Sequence, residues 1–220
     1  MNKVLSFMAA LSLVIFLTGC STRPKTELIP KAYIQPEIDS LRLKLSLTSH
    51  SPQGKVEKVS GTLWAVPEQR YRLEISGTMG MSVASVLWDK EFWLFNFNTM
   101  EKHQKGIGDL LMVPDSPLPP LSIHKVLAPC WGEWIESESS SIKFAKHYGE
   151  TWIEQINYPE EQIMMKFGKP ELLDSLVIPS YLEYYHQKQK LLTITVKEVK
   201  RDLSWSPSVW RLRPVGKALN

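Results

Sequence analysis

Leu41-Arg42-Leu43-Lys44-Leu45-Ser46-Leu47-Thr48 is the stretch that decides the fold class of this chain. Leucine falls at every second position, and polar residues fill the places between. A strand sends successive side chains to opposite faces, so this period of two marks a half-buried strand with one apolar and one wet face. A helix would have grouped its apolar residues three and four apart. Reading onward, Ser51-Pro52-Gln53-Gly54 is a turn signal, and residues 56–66 form a second strand with Trp64 on the face opposite Leu63. After Pro67-Glu68-Gln69 the alternation returns, with Tyr71, Leu73 and Ile75 set against Arg70, Arg72 and Glu74. A loop at residues 77–81 leads into a hairpin of residues 83–88 and 91–97, joined at Asp89-Lys90. Connections this short join antiparallel neighbours.

The middle of the chain changes character. Residues 106–113 and 122–127 read as short helices on either side of a proline-rich stretch, 114–120. Strand patterns resume at 142–147, 151–158, 162–167, 176–185 and 191–199, while residues 202–220 show no period. These segments predict a mainly β (α+β) domain: a single curved antiparallel sheet of nine to eleven strands in the order of one long meander.

The formal net charge is +3, falling to +2 if a leader containing Lys3 is removed, and 43% of residues are hydrophobic. That suffices for a core but supplies no basic stripe, so there is no electrostatic case for nucleic acid. The five histidines, at 50, 103, 124, 147 and 186, are scattered, and none sits at metal-ligand spacing. No G-x-S-x-G, H-E-x-x-H or phosphate-cradling loop occurs, so no enzyme, metal or cofactor is expected. Cys130 reads either as a small buried hydrophobe or as a reactive thiol.

The first twenty residues carry a separate message. Lys3 precedes an apolar run from Val4 to Leu17, shorter than the roughly 20 residues a spanning helix needs. The run closes on Leu17-Thr18-Gly19-Cys20, which resembles the lipobox of bacterial lipoprotein precursors. That resemblance implies a signal peptide over residues 1–19, cleavage before Cys20, and lipid on the Cys20 thiol as a membrane anchor. Residues 20–39, with Pro24, Pro30 and Pro36, then serve as a tether.

Residues 70–81, RYRLEISGTMGM, resemble the LolB family of outer-membrane lipoprotein receptors and its soluble LolA-type relatives. Those proteins carry a basic-aromatic strand followed by a loop with one exposed apolar residue before a glycine. Here Met79-Gly80 occupies that place, although the family loop usually reads Pro-Leu-Gly and this one reads Thr78-Met79-Gly80. The order of strands, the helical middle and the approach at Ile178-Pro179-Ser180-Tyr181-Leu182-Glu183 extend the likeness over residues 40–200.

The resemblance implies an incomplete β-barrel with short helices as a lid over an apolar cavity, and residues 201–220 as an extension of unknown role. It implies Trp64, Trp88, Trp93, Phe95, Trp152 and Met165 as candidates for the cavity wall, although each of these also suits plain core. It makes Met79, Gly80 and Met81 a membrane-insertion loop, in which Met79 is expected to protrude and Met81 to fold back.

The implied function is delivery of acyl chains, those of lipidated proteins or of a similar amphiphile, into the outer membrane. The implied cargo is lipidated proteins, received from a soluble periplasmic LolA-like carrier by a monomer anchored through its own lipid. Two other readings are open: a non-catalytic accessory subunit of an envelope assembly machine, and carbohydrate stacking on some of the eight tryptophans. Cys20→Ala is expected to abolish both lipidation and cleavage after residue 19. Labelled palmitate incorporation checks it, and undiminished label would refute the anchor.

Overall fold

The structure, a computed structural model, describes residues 37–51, 54–111, 121–134 and 137–219. The leader, Cys20, almost all of the tether and the proline-rich stretch 114–120 lie outside the described residues.

One sheet of twelve strands dominates. Its first half is a meander of β1 (Leu41–His50), β2 (Val56–Val66), β3 (Arg70–Ser76), β4 (Ser82–Asp89), β5 (Phe92–Phe97) and β6 (Lys102–Ile107). Two short strands follow outside the main sheet, β7 (Leu110–Leu111) and β8 (Leu121–Ser122), paired with each other. The helix α1 (Ile123–Leu127) and a 3₁₀ turn, Ala128–Trp131, come next. The second half runs through β9 (Ser141–His147), β10 (Glu150–Tyr158) and β11 (Ile163–Phe167), a separate hairpin of β12 (Pro170–Leu173) and β13 (Leu176–Pro179), then β14 (Leu182–His186) and β15 (Gln189–Arg201). The last element is β16 (Lys217–Ala218).

The strand order is β16-β6-β5-β4-β3-β2-β1-β15-β14-β11-β10-β9, so the sheet is open, with edges at β16 and β9. It is not one long meander. Two meanders are joined by the antiparallel pairing of β1 with β15, which brings Leu41 opposite Arg201 and Leu47 opposite Ile194. The inner face carries Leu41, Leu43, Leu45 and Leu47, each at most 6% exposed, as the period of two requires. On the outer face Arg42 and Lys44 of β1 both reach Glu198 of β15, at 3.2 and 2.7 Å.

Two local expectations are corrected. Residues 106–111 are not helical: β6 runs to Ile107, and Gly108 turns the chain at φ +79°. Gly106 pairs with Trp93, and a Cβ there would lie 2.2 Å from the indole, so the glycine lets the ring lie across the strand. The segment 176–185 is two strands, because the chain leaves the sheet for the β12–β13 hairpin and re-enters at Leu182. The β6 strand itself lacks the apolar alternation by which the others are legible.

The C-terminal residues are a strap across the outer face. Ser40 anchors its start: Leu203 N–H donates to Ser40 Oγ at 2.8 Å, and Ser40 Oγ donates to the Leu203 carbonyl at 2.9 Å. Crossing the sheet, the strap accepts hydrogen bonds at the Val209 carbonyl from Arg72 (2.5 Å) and at the Arg213 carbonyl from Asn96 (2.8 Å). Arg70 stacks over Trp210 with 4.7 Å to the ring centre, and His103 Nδ1 donates to the Val215 carbonyl at 2.9 Å. The chain then passes the β6 edge at Gly216, where a Cβ would meet the Glu101 carbonyl at 1.6 Å, and β16 pairs parallel to β6. Under this strap the outward Leu87 and Leu94 are buried.

Leu94→Ala is therefore expected to cost about 2–4 kcal/mol, comparable to a core leucine. Urea unfolding measures it. A cost near zero would mean that the outer face is solvated in solution.

Candidate ligand cavity

Between the concave face of the first meander and α1 lies an apolar cavity of about 320 Å³. The inward side chains of β1 to β5 build one wall, among them Leu47, Val59, Leu73, Ile75, Val86 and Phe95. Tyr184 of β14 with Leu191 and Ile194 of β15 build another, and Ile123, Val126 and Leu127 of α1 close the roof.

Several contacts hold α1 in place. Ser122 caps it, its Oγ accepting from Lys125 N–H at 3.1 Å, and the same hydroxyl donates to Asp109. Tyr71 lies beneath the helix, stacked on Trp88 with ring centres 4.9 Å apart, and its hydroxyl meets His124 Nδ1 at 2.6 Å. That hydroxyl also accepts the Glu68 N–H, which leaves its own proton for His124. Burial raises the Tyr71 pKa well above the ordinary tyrosine range, so the proton stays. Lys125 pairs with Glu161 at 2.5 Å, tying the roof to the β10–β11 turn.

The two ends of the sheet differ. At one end the β12–β13 hairpin, with Leu176, Val177 and Ile178 buried, packs on the Ala128–Trp131 turn and fills the concave side of the open sheet. Cys130 is buried there, its thiol pushed up to about 12 by desolvation, which disfavours the reactive thiolate. At the other end the cavity reaches Ser49, Ile75, Phe97 and Leu191, the final inward positions before the strand tips. The β1–β2, β3–β4 and β5–β6 tips of that end expose Val56, Met79, Met81 and Met100. Met79 is 92% exposed and holds φ +60°, a left-handed conformation that costs a non-glycine residue about 1–2 kcal/mol. Met81 was expected to fold back, but it is 62% exposed: the tip is closed by Gly77 N–H bonding to the Met81 carbonyl, and the side chain lies outside the strand pairing.

Of the six residues expected on the wall, Trp88 and Phe95 line the cavity. Trp64 does not, because it shares the outer face with Arg72, its cross-strand partner, whose guanidinium lies 5.8 Å from the indole centre. Trp93 faces inward but packs against Gly106 in the core. Met165 is fully buried beside Ile156 and Tyr184, its cross-strand partners. Trp152 belongs to a separate hollow of about 60 Å³ at the plugged end, with Trp134 and Phe167. Sequence reading missed Leu47, Tyr71, Ile75, Phe97 and Ile194 on the wall. The period of two along their strands held the signal.

No protein-family model matches this sequence, and no curated protein matches it. Among solved structures the fold is similar to a putative outer-membrane lipoprotein-sorting protein domain from Vibrio parahaemolyticus, with TM-score 0.46 and 6% identity over 80% of this chain and 91% of that one. It is also similar to a LolA superfamily protein from Nitrosomonas europaea, with TM-score 0.42 and 6% identity over 78% and 90%. A DUF1329 family protein from Desulfovibrio piger aligns with TM-score 0.44 and 7% identity over 80% and 91%. With identity this low, none of them says what this chain binds. Among the described residues no helix is long and apolar enough to cross a membrane, and no three metal-ligating side chains gather.

A charge placed on the wall should abolish binding of an environment-sensitive apolar dye, because an unpaired charge in an apolar cavity costs several kcal/mol. Phe95→Glu is expected to weaken the dye by at least about tenfold. Trp64→Glu, on the outer face, is expected to leave it unchanged. A fluorescence titration checks both, and equal loss in the two variants would mean that the dye binds elsewhere.

Proposed function

We propose that this protein is a membrane-anchored lipid carrier. It receives acyl chains in the cavity, those of lipidated proteins or of a similar amphiphile, and delivers them into a bilayer. The observation that carries the reading is a cavity with an apolar wall, plugged at one end and reaching the other among strand tips that expose Met79, Met81, Met100 and Val56. A mouth that meets the membrane through apolar side chains lets a chain cross without passing through water. Burying one methionine side chain in lipid contributes roughly 1.5–3 kcal/mol at most. That is too little to anchor a protein and enough to orient one already held by lipid at Cys20. In this reading the protein sits on the periplasmic side of the outer membrane, accepts cargo from a soluble LolA-like carrier, works as a monomer and catalyses no reaction.

Met79→Glu is expected to leave folding and dye binding within about twofold of wild type, since the side chain touches little, and to cut transfer of a lipoprotein into liposomes sharply. Met79→Leu is expected to preserve transfer. Normal transfer by Met79→Glu would remove the tip from the mechanism, and unfolding would make the residue structural.

A further inference from the structure

We infer that Met79, Met81 and Met100 form one modification site on the strand tips at the cavity mouth: hydrogen peroxide converts their thioethers to sulfoxides, and the tips, now polar, leave the bilayer. The consequence for delivery rests on the carrier reading above and adds a redox control to the same end of the protein.

The first observation is where the accessible sulfur lies. Five methionines fall among the described residues. Met79, Met81 and Met100 are 92%, 62% and 55% exposed. Met164 is half-buried on β11, and Met165 is fully buried beside Ile156 and Tyr184. Oxidation of a side chain follows its access to the oxidant, so the three exposed sulfurs react first. They also lie together. Met79 and Met81 belong to the loop between β3 and β4, and Met100 ends the Asn98–Met100 turn between β5 and β6. The Asn98 amide donates to Ser82 Oγ at 2.6 Å and to Ser85 Oγ at 3.0 Å, which holds the second tip beside the first.

The second observation is what peroxide would spare. Among the described residues no methionine or cysteine lines the cavity. Cys130 is buried, and desolvation holds it as the unreactive thiol. Oxidation therefore alters the mouth and leaves the wall as it was.

The chemistry is a two-electron transfer. A sulfur lone pair attacks one peroxide oxygen, and an S–O bond forms as the O–O bond breaks. The departing hydroxide takes the proton of the transferred hydroxyl and leaves as water, so sulfur is oxidised and peroxide reduced. A sulfoxide is polar where the thioether was apolar, and enzymes reduce it back. Contact of these tips with lipid draws on apolar burial, which a leucine would supply equally well. Methionine adds the oxidisable atom.

The test uses the full chain reconstituted in phosphatidylethanolamine–phosphatidylglycerol liposomes that contain a diazirine-bearing phospholipid. Peptide mapping after peroxide should show sulfoxide at Met79, Met81 and Met100 forming at least about tenfold faster than at Met165. Irradiation should label residues 77–81 and 98–101 before treatment and at least about tenfold less after it. Transfer of a lipoprotein should fall in parallel, dye binding in the cavity should not change, and methionine sulfoxide reductases should restore labelling and transfer. A triple variant, Met79→Leu, Met81→Leu and Met100→Leu, is compared with its own untreated level, and peroxide should leave its labelling and transfer there. If peroxide lowers them in this variant as in wild type, the damage lies elsewhere and the inference falls. It falls too if the lipid labels neither tip before treatment, or if tips carrying sulfoxide are labelled as before; the carrier reading then stands on transfer by the untreated protein. If the untreated protein transfers no lipoprotein while oxidation still frees its tips from lipid, the carrier reading falls and the modification site stands.

Discussion

The pairing of β1 with β15 is the interaction on which the rest of the molecule depends. It joins residues about 150 positions apart in the chain, from Leu41 opposite Arg201 to Ser49 opposite Leu192. Without it each meander would end in a long open edge, which invites pairing with other chains. With it, Leu47 and Ile194 become neighbours on one concave face, and two half-sheets become one curved wall. Closing so long a loop costs conformational entropy that no local turn offsets. The pairing is compensated by the leucine face of β1, buried to 6% exposure or less, and by the contacts of Arg42 and Lys44 with Glu198 outside.

A curved sheet with an apolar concave face needs something inside it, and the protein supplies two different fillings. At one end the β12–β13 hairpin and the Ala128–Trp131 turn occupy the space with side chains, Trp131 and Cys130 being essentially inaccessible. Toward the other end the short helix α1 lies over the face, and among the described residues a cavity remains. The division follows from position: the indoles of Trp93 and Trp131 lie in the packed part, while the cavity is walled mostly by aliphatic chains together with the rings of Tyr71, Trp88, Phe95, Phe97 and Tyr184. The outer face is also covered. The strap from Leu203 to Gly216 binds Arg72, Asn96 and His103 on three strands, and β4 and β5 bury side chains on both faces.

The cavity and three of the strand tips share one end of the sheet. Each of the three tips of the first meander holds an apolar side chain in water, and Met79 does so at a left-handed backbone angle. Turn tips ordinarily carry residues suited to water or to positive φ. At Met79 the exposed apolar side chain runs against the hydrophobic preference and the positive φ against the conformational one, a local conflict with the rules obeyed along the strands.

The amino-acid sequence by itself determined that the chain is built of half-buried antiparallel strands, which residues of β1 and β3 share a face, that a short helix lies within residues 122–127, and that an apolar turn lies at residues 77–81. These follow from nearest-neighbour physics: side-chain alternation, turn propensity and capping act over a few residues. The tertiary structure alone decided which strands meet at the centre, because β1 and β15 find each other through faces, not through any turn between them. It decided that residues 203–219 are a strap, since their hydrogen bonds to Arg72, Asn96 and His103 use backbone carbonyls that leave no period in the sequence. It also decided the cavity. Trp64 and Trp88 are equally large and equally strand-borne, yet one lies outside and one inside, because pairing register and the placement of α1 determine which apolar face stays packed and which stays empty.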